Sequence, residues 1–257
     1  MSVRHTFTRP LRFALRMAGY DVIRISDLEA IRKPPVDFSE QDKEDFEAVK
    51  AYTMAPAERI FTLVRAVEYI VENSIPGDFV ECGTWKGGCA MTMLRVLMRQ
   101  GVLDREAYFY DLFGGAWPKP TEWDRTQGMD AKEMGALLTD EEHALMDYTM
   151  DEVRQNILQT GYPEERLHII PGDIRRTVPA EMPEEIALLR LDTDYYESTL
   201  HELVHMYPRL SSGGVLIIDD YGDWDGARQA TDEYIKKEGL RLHLVRVDVG
   251  ARMAVKP

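Results

Sequence analysis

Residues 78–88 read Asp-Phe-Val-Glu-Cys-Gly-Thr-Trp-Lys-Gly-Gly, a short apolar run that ends in an acid and opens into glycines. The run reads as a buried strand. Glycines after it let the backbone approach a ligand closely and free the N-terminus of a following helix. The pattern recurs downstream. Apolar runs at Ala107 to Tyr110, Leu167 to Ile170, Ile186 to Leu191 and Val215 to Ile218 alternate with helical periodicity near residues 88–99, 149–160, 196–209 and 226–238. A β-α-β-α alternation with fully apolar strands predicts an α/β fold with a parallel sheet covered on both faces. Two strand-like runs around Gly250, Leu240 to Val247 and Ala251 to Val255, predict an antiparallel hairpin at its edge. Upstream, Ser39 with Asp42 resembles a capping box, and Pro56 precedes a stripe of Ile60, Leu63, Val64, Val67, Ile70 and Val71. Residues 1–55 read as an N-terminal helical arm and 56–257 as the main domain.

In such sheets ligands bind beyond the carboxyl ends of the strands. After the first run, Gly83-Thr84-Trp85-Lys86-Gly87-Gly88 does not match G-x-G-x-x-G, because Trp85 stands where a second glycine should sit and would crowd a pyrophosphate. No G-K-[ST] of a P-loop is present. Asp111 closes the second run, where an acid can accept from two ribose hydroxyls, and Asp173 follows the third, placed to accept from an adenine amino group. Glu81, Gly83, Trp85, Gly87, Asp111, Asp173 and Ile174 together suggest a nucleoside cofactor without a pyrophosphate. S-adenosylmethionine is such a molecule, and its cationic sulfonium suits an acidic pocket. Glycines of a tight turn and a solvated loop aspartate account for the same residues without a ligand.

The fourth run ends in Leu191-Asp192-Thr193-Asp194 and the fifth in Ile218-Asp219-Asp220. Acids crowded at neighbouring strand ends repel, and a divalent cation relieves that repulsion. Carboxylates with no cysteine or histidine nearby select a hard ion such as Mg²⁺. Such a cation would lower the pKa of a coordinated hydroxyl, and a carboxylate beside it would take the proton. A turn capped by Asp219-Asp220 is the plainer alternative. His201-Glu202-Leu203-Val204-His205 also satisfies H-E-x-x-H, the pattern of zinc proteases. At helical spacing Leu200, Leu203, Val204 and Tyr207 form the buried stripe, which leaves His201, Glu202 and His205 on the flank and outer face, away from the pocket.

The chain has 257 residues with a formal net charge of −14, which disfavours nucleic-acid and anionic-membrane partners. Its two cysteines, Cys82 and Cys89, build no disulfide framework and fit a cytoplasmic location. No signal peptide or membrane-spanning run is evident. Arg4, Arg9, Arg12 and Arg16 make the first twenty residues locally basic, which suits a subunit contact in a homo-oligomer. Between Asp111 and Tyr148 lie roughly 35 residues with Gly114, Gly115, Trp117, Pro118, Pro120 and Trp123, long enough to form a lid. Trp117, in this stretch, and Tyr195 and Tyr221, beside the acids, are the candidate substrate contacts.

Tyr52-Thr53-Met54 through Glu58-Arg59, Ile75 to Gly83, Leu188 to Thr199 (LLRLDTDYYEST), Tyr207 to Leu210 and Gly213 to Tyr221 (GGVLIIDDY) together resemble the macrocin O-methyltransferase family. The resemblance covers roughly residues 50–240. It implies a class I, Rossmann-like methyltransferase sheet, S-adenosylmethionine as donor, Mg²⁺ as cofactor, an oligomer, and a deoxysugar acceptor that is nucleotide-activated or attached to an aglycone. It places the metal on Asp192, Asp219 and Asp220, the base at Asp192, and cofactor contacts at Met54, Glu81, Gly83, Asp111 and Asp173. Tyr195 stands where relatives often carry Trp, and the stretch 112–148 matches least. A catechol-type O-methyltransferase, a zinc hydrolase through His201 and His205, and a catalytically silent nucleoside-binding protein are the rival readings.

Overall fold

The computed structural model describes residues 37–139 and 146–257. The chain divides into two compact units, Met1–Ser39 and Glu40–Pro257. The basic arm over residues 1–20 lies outside the described residues.

In the second unit a polar helix α1 (Glu40–Val49) and an amphipathic helix α2 (Ala57–Glu72) precede the sheet. The stripe expected in α2 is buried from Ile60 through Ile70, with Pro56 just ahead of its first turn. Strands and helices then alternate: β1 (Asp78–Cys82), α3 (Gly88–Gln100), β2 (Ala107–Asp111), a small hairpin of β3 (Arg125–Thr126) and β4 (Met129–Asp130), α4 (Ala131–Gly135), α5 (Met150–Leu158), β5 (Leu167–Pro171), α6 (Ile174–Thr177), β6 (Ile186–Leu191), α7 (Tyr196–Met206), β7 (Leu210–Ile218), α8 (Asp225–Lys237), β8 (Val245–Arg246) and β9 (Arg252–Val255).

The main sheet has seven strands in the order β5-β2-β1-β6-β7-β9-β8. The first five are parallel, and β9 and β8 continue antiparallel, as the tail pattern predicts. Side chains alternate between the two faces along each strand. Phe79, Phe109 and Leu188 pack under α2, α3 and α5. Val80, Tyr110 and Leu189 face α6, α7 and α8. Every residue of β6 is buried, which explains its unbroken apolar run except for Arg190. The strand order reverses at β1, so the carboxyl ends of β1 and β6 frame a crevice of the kind in which α/β sheets bind ligands. Among the described residues no helix is long and apolar enough to cross a membrane.

Candidate active site

The carboxyl ends of β1, β6 and β7 open on a cavity of about 160 Å³, closed on one side by the segment that joins α1 to α2. Thr53 and Met54 of that segment line it, and the Tyr52 carbonyl accepts the Gly88 backbone N–H at 2.8 Å. Gly83 begins the loop after β1 with φ +85°, and a Cβ there would overlap the carbonyl oxygen of Asp192. Glycine is therefore required where β1 and β6 converge. Trp85, also left-handed at φ +48°, donates its backbone N–H to Asp111 Oδ2 at 2.8 Å.

Met54, Gly83, Trp85, Asp192, Asp219 and Asp220 meet around this cavity, and Asp194 joins them. The register explains the acids. Leu191 of β6 pairs with Ile218 of β7, so the residues that follow stand side by side. One carboxylate oxygen from each of Asp192, Asp219 and Asp220 lies within 4.8 Å of the others. Asp194, at φ +63°, donates its backbone N–H to Asp220 Oδ2 at 2.9 Å. Burial, reinforced by neighbouring acids, pushes the Asp192 carboxyl up to about 7 and Asp194 up to about 8. Asp220 moves up as well, for the same reasons.

Two arginines run through the cluster. Arg190, buried in β6, places Nη1 2.9 Å from Glu81 Oε1 and Nη2 2.8 Å from both Asp192 Oδ2 and Asp219 Oδ1. Burial opposes its charge, but Asp192 and Asp219, with Glu81, more than offset that and hold it ionised. Arg59 of α2 pairs with Asp219, with Asp223 at 2.9 Å and with Asp248 at 2.7 Å. Seven carboxylates (Glu81, Asp192, Asp194, Asp219, Asp220, Asp223 and Asp248) thus gather around two guanidinium groups. The cluster is short of positive charge and offers hard oxygen donors, which is the donor chemistry a divalent cation such as Mg²⁺ requires.

The other sequence candidates lie outside the cavity lining. Glu81 is fully buried behind it, against Arg190, with Oε2 unpartnered, and burial pushes it up to about 8. Gly87 caps the start of α3. Asp111 Oδ1 accepts from the Phe113 N–H and from the Tyr148 hydroxyl, each at 2.8 Å. Asp173 caps α6 and is bound by the Arg175 guanidinium, next to buried Ile174. Trp117 and Tyr195 lie against each other, ring centroids 5.9 Å apart. Tyr221 donates its hydroxyl to Asp232 of α8 at 2.8 Å.

Arg59, Arg190 and Tyr148 were not among the candidates. Arg190 carried a signal: a cation inside Leu188-Leu189-Arg190-Leu191 must find acids if that strand is buried. The face of α7 also differs from the spacing argument. Thr199, Glu202, Leu203 and Met206 are buried, whereas Val204 is 40% exposed. Glu202 points inward because its Oε1 accepts the Thr193 hydroxyl at 2.9 Å, a polar partner that an apolar stripe does not reveal. His201 bonds the Val178 carbonyl at 3.0 Å. Among the described residues, the cluster of three or more potential metal ligands is Asp192, Asp219 and Asp220, and it includes neither His201 nor His205.

A family profile described as macrocin-O-methyltransferase matches residues 4–254. The chain is 34% identical over 213 residues to mycinamicin III 3''-O-methyltransferase of Micromonospora griseorubida, covering 83% of this chain and 81% of that one. It is 31% identical over 198 residues to demethyldecarbamoylnovobiocin O-methyltransferase of Streptomyces niveus, covering 77% and 73%. The solved structure of the O-methyltransferase NovP superposes with a TM-score of 0.71 at 28% identity, over 89% of this chain and 93% of that one. A calicheamicin methyltransferase shares the fold, with a TM-score of 0.56 at 19% identity, over 92% and 99%. The sheet order, the cavity at its crevice and these likenesses agree: the chain belongs to the macrocin O-methyltransferase family.

Proposed function

We propose that this chain methylates a hydroxyl of a deoxysugar, with S-adenosylmethionine as donor and Mg²⁺ held by Asp192, Asp219 and Asp220. The observation that carries this reading is the convergence of those three carboxylates on the cavity beside Gly83. The names of the two curated relatives point to glycosylated natural products as their acceptors. The sugar here is nucleotide-linked or attached to an aglycone.

The donor supplies an electrophilic methyl group, and the cation, when bound, lowers the pKa of a coordinated hydroxyl. The chain does the rest. Gly83 puts no side chain where β1 and β6 converge, so the donor can approach the backbone there. Asp192 Oδ2 is held by Arg190 at 2.8 Å, which orients the carboxylate and leaves Oδ1 to accept the acceptor's proton. Arg59 and Arg190 fix Asp219 from both sides, so the site is ordered before ligands arrive.

The test is methyl transfer to a panel of free, nucleotide-linked and aglycone-linked deoxysugars and a catechol, each with and without Mg²⁺. Turnover of a deoxysugar only with Mg²⁺ supports the reading. Turnover of the catechol alone, or undiminished turnover in EDTA, contradicts it.

A further inference from the structure

The segment between β2 and α5 is anchored at Asp124. Asp124 is fully buried. Its Oδ1 accepts the Tyr196 backbone N–H at 2.6 Å, and its Oδ2 accepts from the Thr121 backbone at 2.5 Å and the Thr121 hydroxyl at 2.9 Å. Tyr196 is the first residue of α7, so the carboxylate caps that helix from 72 residues away. Gly226, in the first turn of α8, lies against the same group, and a Cβ there would overlap Asp124 Oδ1.

Three segments thus meet at one carboxylate, and each supplies a ring to an aromatic row. Trp117 comes from the inserted segment, Tyr195 from the residue before α7 and Trp224 from the residue before α8. The Trp117–Tyr195 centroids are 5.9 Å apart and the Tyr195–Trp224 centroids 5.5 Å. The row adjoins the acid cluster. Tyr195 follows Asp194, and the Trp224 backbone N–H donates to the Asp220 carbonyl at 2.8 Å. Trp117 is 52% exposed, so much of its ring is open to a ligand.

We propose that Asp124 is a positioning residue that assembles a platform for the acceptor, with Trp117 as its open ring on a base of buried Tyr195 and of Trp224. The platform takes the C–H face of a sugar ring or an apolar ring attached to it. This rests on the acceptor reading above. Aromatic faces favour such surfaces, and their value depends on ring geometry. The bonds to a buried carboxylate are not replaced by water when it is removed, so its loss releases the segment that carries Trp117.

The experiment compares Asp124→Ala, Asp124→Asn and Gly226→Ala with the wild type. Steady-state constants are measured on demethyldecarbamoylnovobiocin and mycinamicin III, S-adenosylhomocysteine affinity by calorimetry, and aromatic packing by near-UV circular dichroism. Asp124→Ala should raise the acceptor KM roughly tenfold, with kcat within about threefold. S-adenosylhomocysteine affinity should be unchanged and the near-UV signal reduced. Gly226→Ala should behave alike, and Asp124→Asn, which keeps one acceptor oxygen, should fall between. An unchanged KM and near-UV signal overturns the proposal. So does a parallel loss of S-adenosylhomocysteine affinity, which marks a general structural role. Should Asp124→Ala not fold, the other two variants decide by the same criteria. Should the wild type turn over neither glycoside, the acceptor reading fails for those sugars. The near-UV signal then judges Asp124: its loss in the variants, with partial return in Asp124→Asn, upholds the platform, and its persistence overturns it.

Discussion

Arg190 and Glu81 are cross-strand partners in β6 and β1, with a 2.9 Å ion pair and neither side chain more than 4% exposed. The pair lies directly behind the cavity, and the same guanidinium reaches Asp192 and Asp219. Removing one partner of a buried ion pair leaves uncompensated charge at a cost of about 3–5 kcal/mol. Arg190→Met should therefore lose stability of that order in urea unfolding at neutral pH. Glu81→Gln, which keeps an acceptor for Arg190, should lose under about 1.5 kcal/mol. Equal effects for the two variants would show that the arginine does not organise the cluster.

Gly83 joins the donor loop to the acid cluster, because its Cα faces the Asp192 carbonyl with no room for a Cβ. Gly83→Ala combines that overlap with a left-handed backbone and should cost at least about 2 kcal/mol. It should also abolish S-adenosylhomocysteine binding in calorimetry. A variant that melts like the wild type and binds normally would show that β1 and β6 need not approach so closely.

Asp173 gives a pH dependence of definite sign. The Arg175 side chain, in a 2.6 Å ion pair, holds its carboxyl below the usual value of 3.8. A depressed folded-state value stabilises the fold fully above the ordinary value, and that contribution is lost as pH falls through the lower one. Asp173→Ala should therefore be less stable than the wild type by about 1 kcal/mol at pH 6, a typical cap contribution. The gap should narrow as pH falls below 3.8 and through the lower folded-state value. A gap that is constant with pH would assign the effect to shape rather than to charge.

Local pattern carried much of this site. Alternating apolar runs were enough to predict a mostly parallel sheet, and reading the residues after each run pointed to Gly83, Asp192, Asp219 and Asp220, which line one cavity. What escaped depends on neighbours distant in sequence. Arg190 meets Glu81 only because β6 lies beside β1, and Arg59 reaches the acids only because α2 crosses the end of β7. Glu202 looked like a flank residue because apolar spacing cannot show that Thr193 will donate to one oxygen of a buried carboxylate. Asp124 sits in a stretch with no periodicity at all, and its role emerges from the starts of two helices far along the chain.

The central claim is that Asp192 and its neighbouring acids perform metal-assisted methyl transfer. The most direct measurement is turnover of S-adenosylmethionine by the wild type and by Asp192→Asn on whichever deoxysugar the wild type methylates, titrated with Mg²⁺ after EDTA treatment. Asn keeps the size of the side chain but accepts no proton, so the variant should lose about a hundredfold or more in kcat. The wild type should be silent in EDTA and recover with Mg²⁺, while both proteins bind S-adenosylhomocysteine alike. Asp192→Asn turnover within about threefold of the wild type, or full wild-type activity in EDTA, would contradict the claim.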